Sequence, residues 1–231
     1  MKLDKLKIIL MSILFIFSIG AMGVYELMNK EEDIKTDAVK FKEEYEILND
    51  KEIEGTDKTY KNIEIPEKNP FVYASYEEVF DLLDKTGVLY LGYPECPWCR
   101  SLVPLLAQAS KKVGMGKIYY INMKEERNIL KLEDGKIVEE KKGSDGYNKL
   151  VQKLEETLPI YEGLENEQLK RIYVPYVLFI KDGKIVDTHT GTLDEQTDPF
   201  TSLTEEEKSQ LLSILVDKFM KVTDSSCDSA C

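Results

Sequence analysis

The sequence predicts a mixed α/β fold, a central mixed sheet flanked by helices, on three observations. Two short apolar runs, 88–93 and 117–123, are separated by a segment with helical spacing. Two Asp-Gly pairs, Asp134-Gly135 and Asp182-Gly183, lie between stretches suited to strands. Two capping patterns, Ser75 with Glu78 and Thr204 with Glu207, each precede an apolar stripe of helical period.

Taken in order, Ser75 and Glu78 open a helix over 76–85 that turns Val79, Leu82 and Leu83 inward. Val88 to Tyr93 follows Gly87, is too short for a helix and suits a buried strand. Cys96, Pro97, Trp98 and Cys99 then begin a helix with Leu102, Val103, Leu105, Leu106 and Ala109 on its inner face, and 117–123 reads as a second buried strand. Segment 124–170 is long and polar, an insertion holding a hairpin at Asp134-Gly135 and a helix over 144–158 with Tyr147, Leu150, Val151 and Leu154 inward. A second hairpin turns at Asp182-Gly183 between 176–180 and 184–187. The last helix carries Leu211, Leu212, Leu215, Val216 and Phe219 at helical spacing. This order joins a βαβ unit to a ββα unit.

The folded domain is expected over 71–222, and both ends of the chain differ from it. Ile8 to Tyr25 runs eighteen positions without a charge, after Lys2, Lys5 and Lys7 and before Glu26. As a helix it spans about 27 Å, near the thickness of a bilayer's hydrocarbon core. The flanking charges put the N-terminus in the cytoplasm and the rest outside. Two readings stay open for 1–25: an uncleaved single-pass anchor in the cell membrane, or a signal sequence cut near Ser18, Gly20, Ala21 and Gly23, leaving a secreted protein. Residues 26–69 are strongly charged and read as a stalk, despite a short helical pattern in Val39, Phe41, Tyr45 and Leu48. Residues 223–231 form a polar tail with Cys227 and Cys231.

Composition narrows the chemistry. The formal net charge is -12, and -14 from residue 26 onward, which argues against nucleic acid as a partner. Four cysteines and the single His189 leave little material for a metal centre: no metal and no cofactor is expected, and His189 reads as structural or exposed. The cysteines form two close pairs. Cys96 and Cys99, two residues apart where a strand meets a helix, can alternate between dithiol and disulfide with little backbone movement. The helix N-terminus favours a thiolate on Cys96, and Pro97 fits the first helical position, where no N–H is needed. Cys96 then forms a mixed disulfide that Cys99 resolves. Cys227 and Cys231 read as a local disulfide or as a second redox pair exchanging with the first.

The strand running into Cys96-Pro97-Trp98-Cys99, Pro104 eight residues after the first cysteine, Val174-Pro175 before a strand, and Gly183 and Gly191 beyond it together resemble the thioredoxin superfamily. The resemblance covers roughly 71–220, with an insertion, and implies a thioredoxin fold. It implies that Val174-Pro175 is a cis-proline site, with Pro175 against the redox sulfurs and Trp98, Val174 and Pro175 meeting the substrate. The phrase GYPECPWCRSLVP further resembles exported or membrane-anchored thioredoxin-like proteins of Gram-positive bacteria, including bacteriocin transport accessory proteins. Two departures stand out. Tyr90 occupies the position of the buried acid of thioredoxins proper, and Glu95 beside Cys96 opposes its ionisation, offset by Arg100.

The expected function is a membrane-tethered, extracytoplasmic thiol-disulfide oxidoreductase. Its partners would be exported cysteine-containing proteins or peptides and a membrane electron donor or acceptor. The rival is a non-enzymatic thioredoxin-like accessory protein that binds an exported peptide or transporter and uses the cysteines as a staple.

Overall fold

The computed structural model describes residues 35–161, 164, 166 and 168–223. The charge-free run from Ile8 to Tyr25, expected to be a membrane anchor or a signal sequence, and Cys227 with Cys231 lie outside them. Among the described residues no helix is long and apolar enough to cross a membrane.

The unit that begins at Asp37 is built from twelve elements: α1 Asp37–Glu46, β1 Phe71–Tyr73, α2 Tyr76–Leu82, β2 Gly87–Gly92, α3 Pro97–Lys112, β3 Ile118–Asn122, β4 Ile129–Glu133, β5 Lys136–Lys141, α4 Asp145–Leu154, β6 Tyr176–Lys181, β7 Lys184–Thr190 and α5 Glu205–Thr223. Five strands form one sheet in the order β1-β3-β2-β6-β7. β3 runs parallel to β1 and β2, whereas β6 is antiparallel to both β2 and β7. This mixed sheet flanked by helices fits a thioredoxin fold. β4 and β5 make a separate two-stranded sheet.

Local chemistry accounts for the boundaries. Both capping boxes form: Ser75 Oγ accepts from Glu78 N–H while Glu78 reaches back to Ser75 N–H, and Thr204 and Glu207 repeat the exchange at α5. Both Asp-Gly turns place two residues at positive φ, Asp134 with Gly135 and Asp182 with Gly183, as a tight hairpin turn requires. β2 is buried along its whole length because it is central, with apolar layers on both faces. One layer gathers α1, α3 and α5 around Tyr90, Leu106, Phe179 and Leu215; the other gathers α2 and α4 around Leu89, Leu91, Leu150 and Leu178. Gly146 in α4 permits a close approach to α2, since a Cβ there would lie 2.1 Å from the Tyr76 ring.

The structure corrects one expectation about extent. The stretch read as a stalk over 26–69 is part of the folded domain from Asp37 onward: Phe41, Tyr45 and Ile65 are fully buried, and α1 lies against β1. Phe41 stacks on Phe71 with ring centroids 4.0 Å apart. Each such fully buried side chain contributes about 1.5–3 kcal/mol through apolar burial, so the helical pattern outweighs the surrounding charge. β1 is an addition to the sequence reading, a short edge strand that lacks an alternating run and exists through its pairing with β3.

His189 lies in β7 opposite Val177 and is largely buried. Burial first, and the Lys218 ammonium second, push its imidazole down to about 4. The folded state therefore favours the neutral ring, and stability present above the unfolded pKa of ~6.5 is lost as pH falls toward 4. Denaturant unfolding should show wild type losing about 2 kcal/mol more than His189→Gln between pH 7 and pH 4.5; parallel losses would refute this assignment.

Candidate functional site

The site lies where β2 ends and α3 begins. Cys96 is the N-cap of α3, with φ -70° and ψ 117°, and its Sγ accepts the Cys99 N–H at 3.3 Å. The cap geometry aims helix N–H groups at this sulfur, the arrangement that stabilises an anion at a helix start. Pro97 follows at the first helical position, so no orphan donor is wasted there. From the opposite side Val174-Pro175, a cis peptide, brings the Val174 carbonyl to 3.6 Å from Cys96 Sγ, where it accepts from the thiol. Both cysteines are free thiols and both are buried. Trp98 is half-buried and packs with Val174 against the α3 core, and Pro175 is buried. Cys96, Cys99 and Val174 thus come together, the last from 78 residues away in sequence.

The two sulfurs differ in environment. The hydrogen bond from the Cys99 thiol holds Cys96 below the ordinary thiol range, helped by the N–H groups of Cys99 and Trp98 and the nearby Arg127 charge, against the opposing effect of burial. Burial pushes Cys99 well above that range, and its bond to Cys96 adds to the rise. Cys96 is therefore the more readily ionised sulfur and Cys99 the one that holds its proton.

The charge balance around Cys96 differs from expectation. Glu95 is neutralised by Lys124, whose Nζ lies 2.7 Å from its carboxylate, and the cation whose field favours the thiolate is Arg127. Arg100 is not among the groups that lower Cys96, although its charge does act with Glu95. It is fully buried, donating to the carbonyls of Lys61 at 2.7 Å, Tyr45 at 2.8 Å and Pro94 at 3.3 Å, and to Asn49 Oδ1 at 2.6 Å. Sequence reading missed Lys124 and Arg127 because both belong to the inserted segment, where charges look like solvated surface. A groove lined by Tyr93, Arg127, Ile129, Tyr161 and Arg171 runs beside them. Among the described residues no cluster of three or more His, Cys, Asp or Glu side chains is placed to hold a metal ion.

No family model matches this chain, and no curated protein does. Among solved structures, thioredoxin O2 from Arabidopsis thaliana in the oxidised state is similar at 17% identity and a TM-score of 0.37, over 64% of this chain and 94% of that one.

The asymmetry has a direct readout. Iodoacetamide on the folded, reduced protein should modify Cys96 with a half-maximal pH below the ordinary ~8.5 of a thiol and leave Cys99 unmodified until unfolding. Arg127→Gln should shift that midpoint upward. Peptide mapping by mass spectrometry that finds Cys99 alkylated first would contradict the assignment.

Proposed function

We propose that this chain is a membrane-tethered, extracytoplasmic thiol-disulfide oxidoreductase that exchanges disulfides with exported cysteine-containing proteins or peptides through Cys96 and Cys99. The observation that carries the reading is the opposed pair: a sulfur capping a helix and tuned toward thiolate, backed one turn in by a fully buried thiol. In the reducing direction the Cys96 thiolate attacks a client disulfide, one client sulfur leaves as thiolate, and Cys96 is joined to the other. Cys99 then attacks Cys96, the second client thiolate departs, and the protein holds the Cys96–Cys99 disulfide: two electrons have passed to the client. The oxidising direction reverses these steps. Trp98, Val174 and Pro175 frame Cys96 and would meet the client. The Val174 carbonyl, now accepting from the thiol, is free to pair with a client backbone once that sulfur is bonded.

Tethering is supported by the charge-free run from Ile8 to Tyr25 with lysines before it, and an exported location by the same flanking asymmetry. The likeness of GYPECPWCRSLVP to exported thioredoxin-like proteins of Gram-positive bacteria supports the client class. A membrane electron donor or acceptor would reset the pair, and Cys227 with Cys231 would form a local disulfide or a second pair exchanging with it.

Cys99→Ser removes the resolving sulfur. Expressed in cells, this variant should accumulate mixed disulfides through Cys96, visible as reductant-sensitive adducts whose clients mass spectrometry identifies. No adduct, together with full function of a Cys96→Ser, Cys99→Ser double variant, would favour the accessory-protein reading instead. A potential near about -270 mV would mark a reductant and one near about -120 mV an oxidant.

A further inference from the structure

Segment 124–170 leaves the sheet and returns to it beside the cysteine pair, and its two ends are clamped together there. At the near end Met123 N–H donates to the Gly92 carbonyl at 2.9 Å, and Arg127 N–H to the Met123 carbonyl at 3.2 Å. The far end returns through Tyr161 to Arg171, whose Nη2 donates to the Asn128 carbonyl at 2.6 Å and to Asn128 Oδ1 at 2.7 Å. Together with Tyr93 these residues line a groove of about 380 Å³. The Tyr93 carbonyl accepts the Cys96 N–H at 3.2 Å, so the groove borders the N-terminal cysteine.

Its charge runs against that of the chain. The protein carries a net charge of -12, yet the groove is lined by Lys124, Arg127 and Arg171 and, among the described residues, by no carboxylate. Lys124 is taken by Glu95 at 2.7 Å. The two guanidinium groups have no such partner: among the described residues neither forms an ion pair, and the Nε of each is buried without an acceptor. Arg171 is only 6% exposed, and its guanidinium lies 4.9 Å from the Tyr161 ring centroid. A buried cation without a counter-ion is costly, and the planar edge of a guanidinium matches a carboxylate. The groove is also within reach of the chemistry. Arg171 stands three residues before Val174, which meets Cys96 Sγ at 3.6 Å, and three residues span at most about 11 Å. An extended client covers that distance within about four residues of its cysteine.

We propose that Arg127 and Arg171 form a carboxylate-binding subsite that selects clients with an acidic side chain or a chain terminus close to the cysteine being exchanged. This rests on the exchange reading above and names the client class. The client carboxylate takes the open edge of Arg171 and the Arg127 guanidinium while the client sulfur lies at Cys96. No bond changes in the groove: the two arginines bind and orient, and Cys96 reacts. The insertion thereby contributes specificity that neither the cysteine pair nor the sheet supplies.

The test reads attack by Cys96 alone, in the full-length chain carrying Cys99→Ser, Cys227→Ser and Cys231→Ser. The probes are synthetic peptides with blocked ends and a single cysteine joined by a disulfide to 2-thiopyridine, with Asp, Asn or Lys placed two, three or four residues from that cysteine. The Cys96 thiolate attacks the peptide sulfur, the S–S bond to the pyridine breaks, and the released pyridine-2-thione is followed by absorbance. Asn peptides with a free C-terminal carboxylate at the same spacings separate a chain terminus from an acidic side chain. Net charge alone makes Lys fastest and Asp slowest. The subsite predicts the reverse, with the Asp or the free-terminus peptide reacting about tenfold faster than the blocked Asn peptide at its best spacing, the gain of one charge-assisted hydrogen bond. In Arg171→Gln this ratio should fall toward one, and Arg127→Gln repeats the comparison should Arg171→Gln lose its cooperative melting. Ratios are compared because a change in the reactivity of Cys96 itself cancels in them. Equal rates for all peptides at every spacing, the order set by net charge, or a ratio unaltered in both variants would each overturn the subsite. Release no faster than from the same chain with Cys96→Ser would overturn the exchange reading itself, and the subsite with it.

Discussion

The Arg100 guanidinium is the constraint on which the site depends. A charge with no solvent contact survives only when its donors are matched, and here all of the matching acceptors lie outside α3: three backbone carbonyls and one side-chain oxygen from Tyr45, Asn49, Lys61 and Pro94. Three of the four belong to the stretch before β1. That stretch must fold back over the active-site helix, one residue beyond Cys99, or leave the cation unpaired. Once it does, Phe41 fills the space beside Phe71, and Tyr45 arrives within hydrogen-bond distance of Tyr90. The stretch before β1 is thus part of the wall around the cysteine pair.

The same division of labour explains how a strongly acidic chain can hold a thiolate. Cys96 gains from helix N–H groups and from the thiol of its partner, both short-range and indifferent to net charge. The one adjacent carboxylate, Glu95, is neutralised by Lys124, and Arg127 adds positive field from the edge of the insertion. Segment 124–170 therefore does more than extend the surface. It supplies the cations that set the first sulfur, while β2 and α1 surround the second.

Much of this was legible in the sequence. The strands 88–93 and 117–123, both Asp-Gly turns and both capping boxes are local signals, and the elements they mark occur within a few residues of the expected limits. Cys96 and Cys99 were identifiable because their spacing is itself the pattern, Val174 and Pro175 through the resemblance, and the structure brings Val174 to Cys96. What could not be read are the features that depend on long-range satisfaction. The repeat of Val39, Phe41, Tyr45 and Leu48 was visible, yet charge density made it look like a stalk; the burial of Phe41 and Tyr45 is decided by partners across the chain. Arg100, next to Cys99, was read as an electrostatic neighbour of Glu95, which it is, but nothing local shows that its fork also takes the distant carbonyls of Tyr45 and Lys61. Tyr90 registered as a missing acid, because its buried hydrogen bond to Tyr45 exists only once the stretch before β1 packs beside β2.

If residues 37–65 complete the site, they cannot be removed without losing it. Limited proteolysis of the folded, full-length protein, with fragments identified by mass spectrometry and assayed for Cys96 reactivity, tests this most directly. The account predicts that the smallest stable product retains Asp37 to Thr223 intact. A fragment starting near Phe71 that still unfolds cooperatively and reacts at Cys96 like the parent would contradict it.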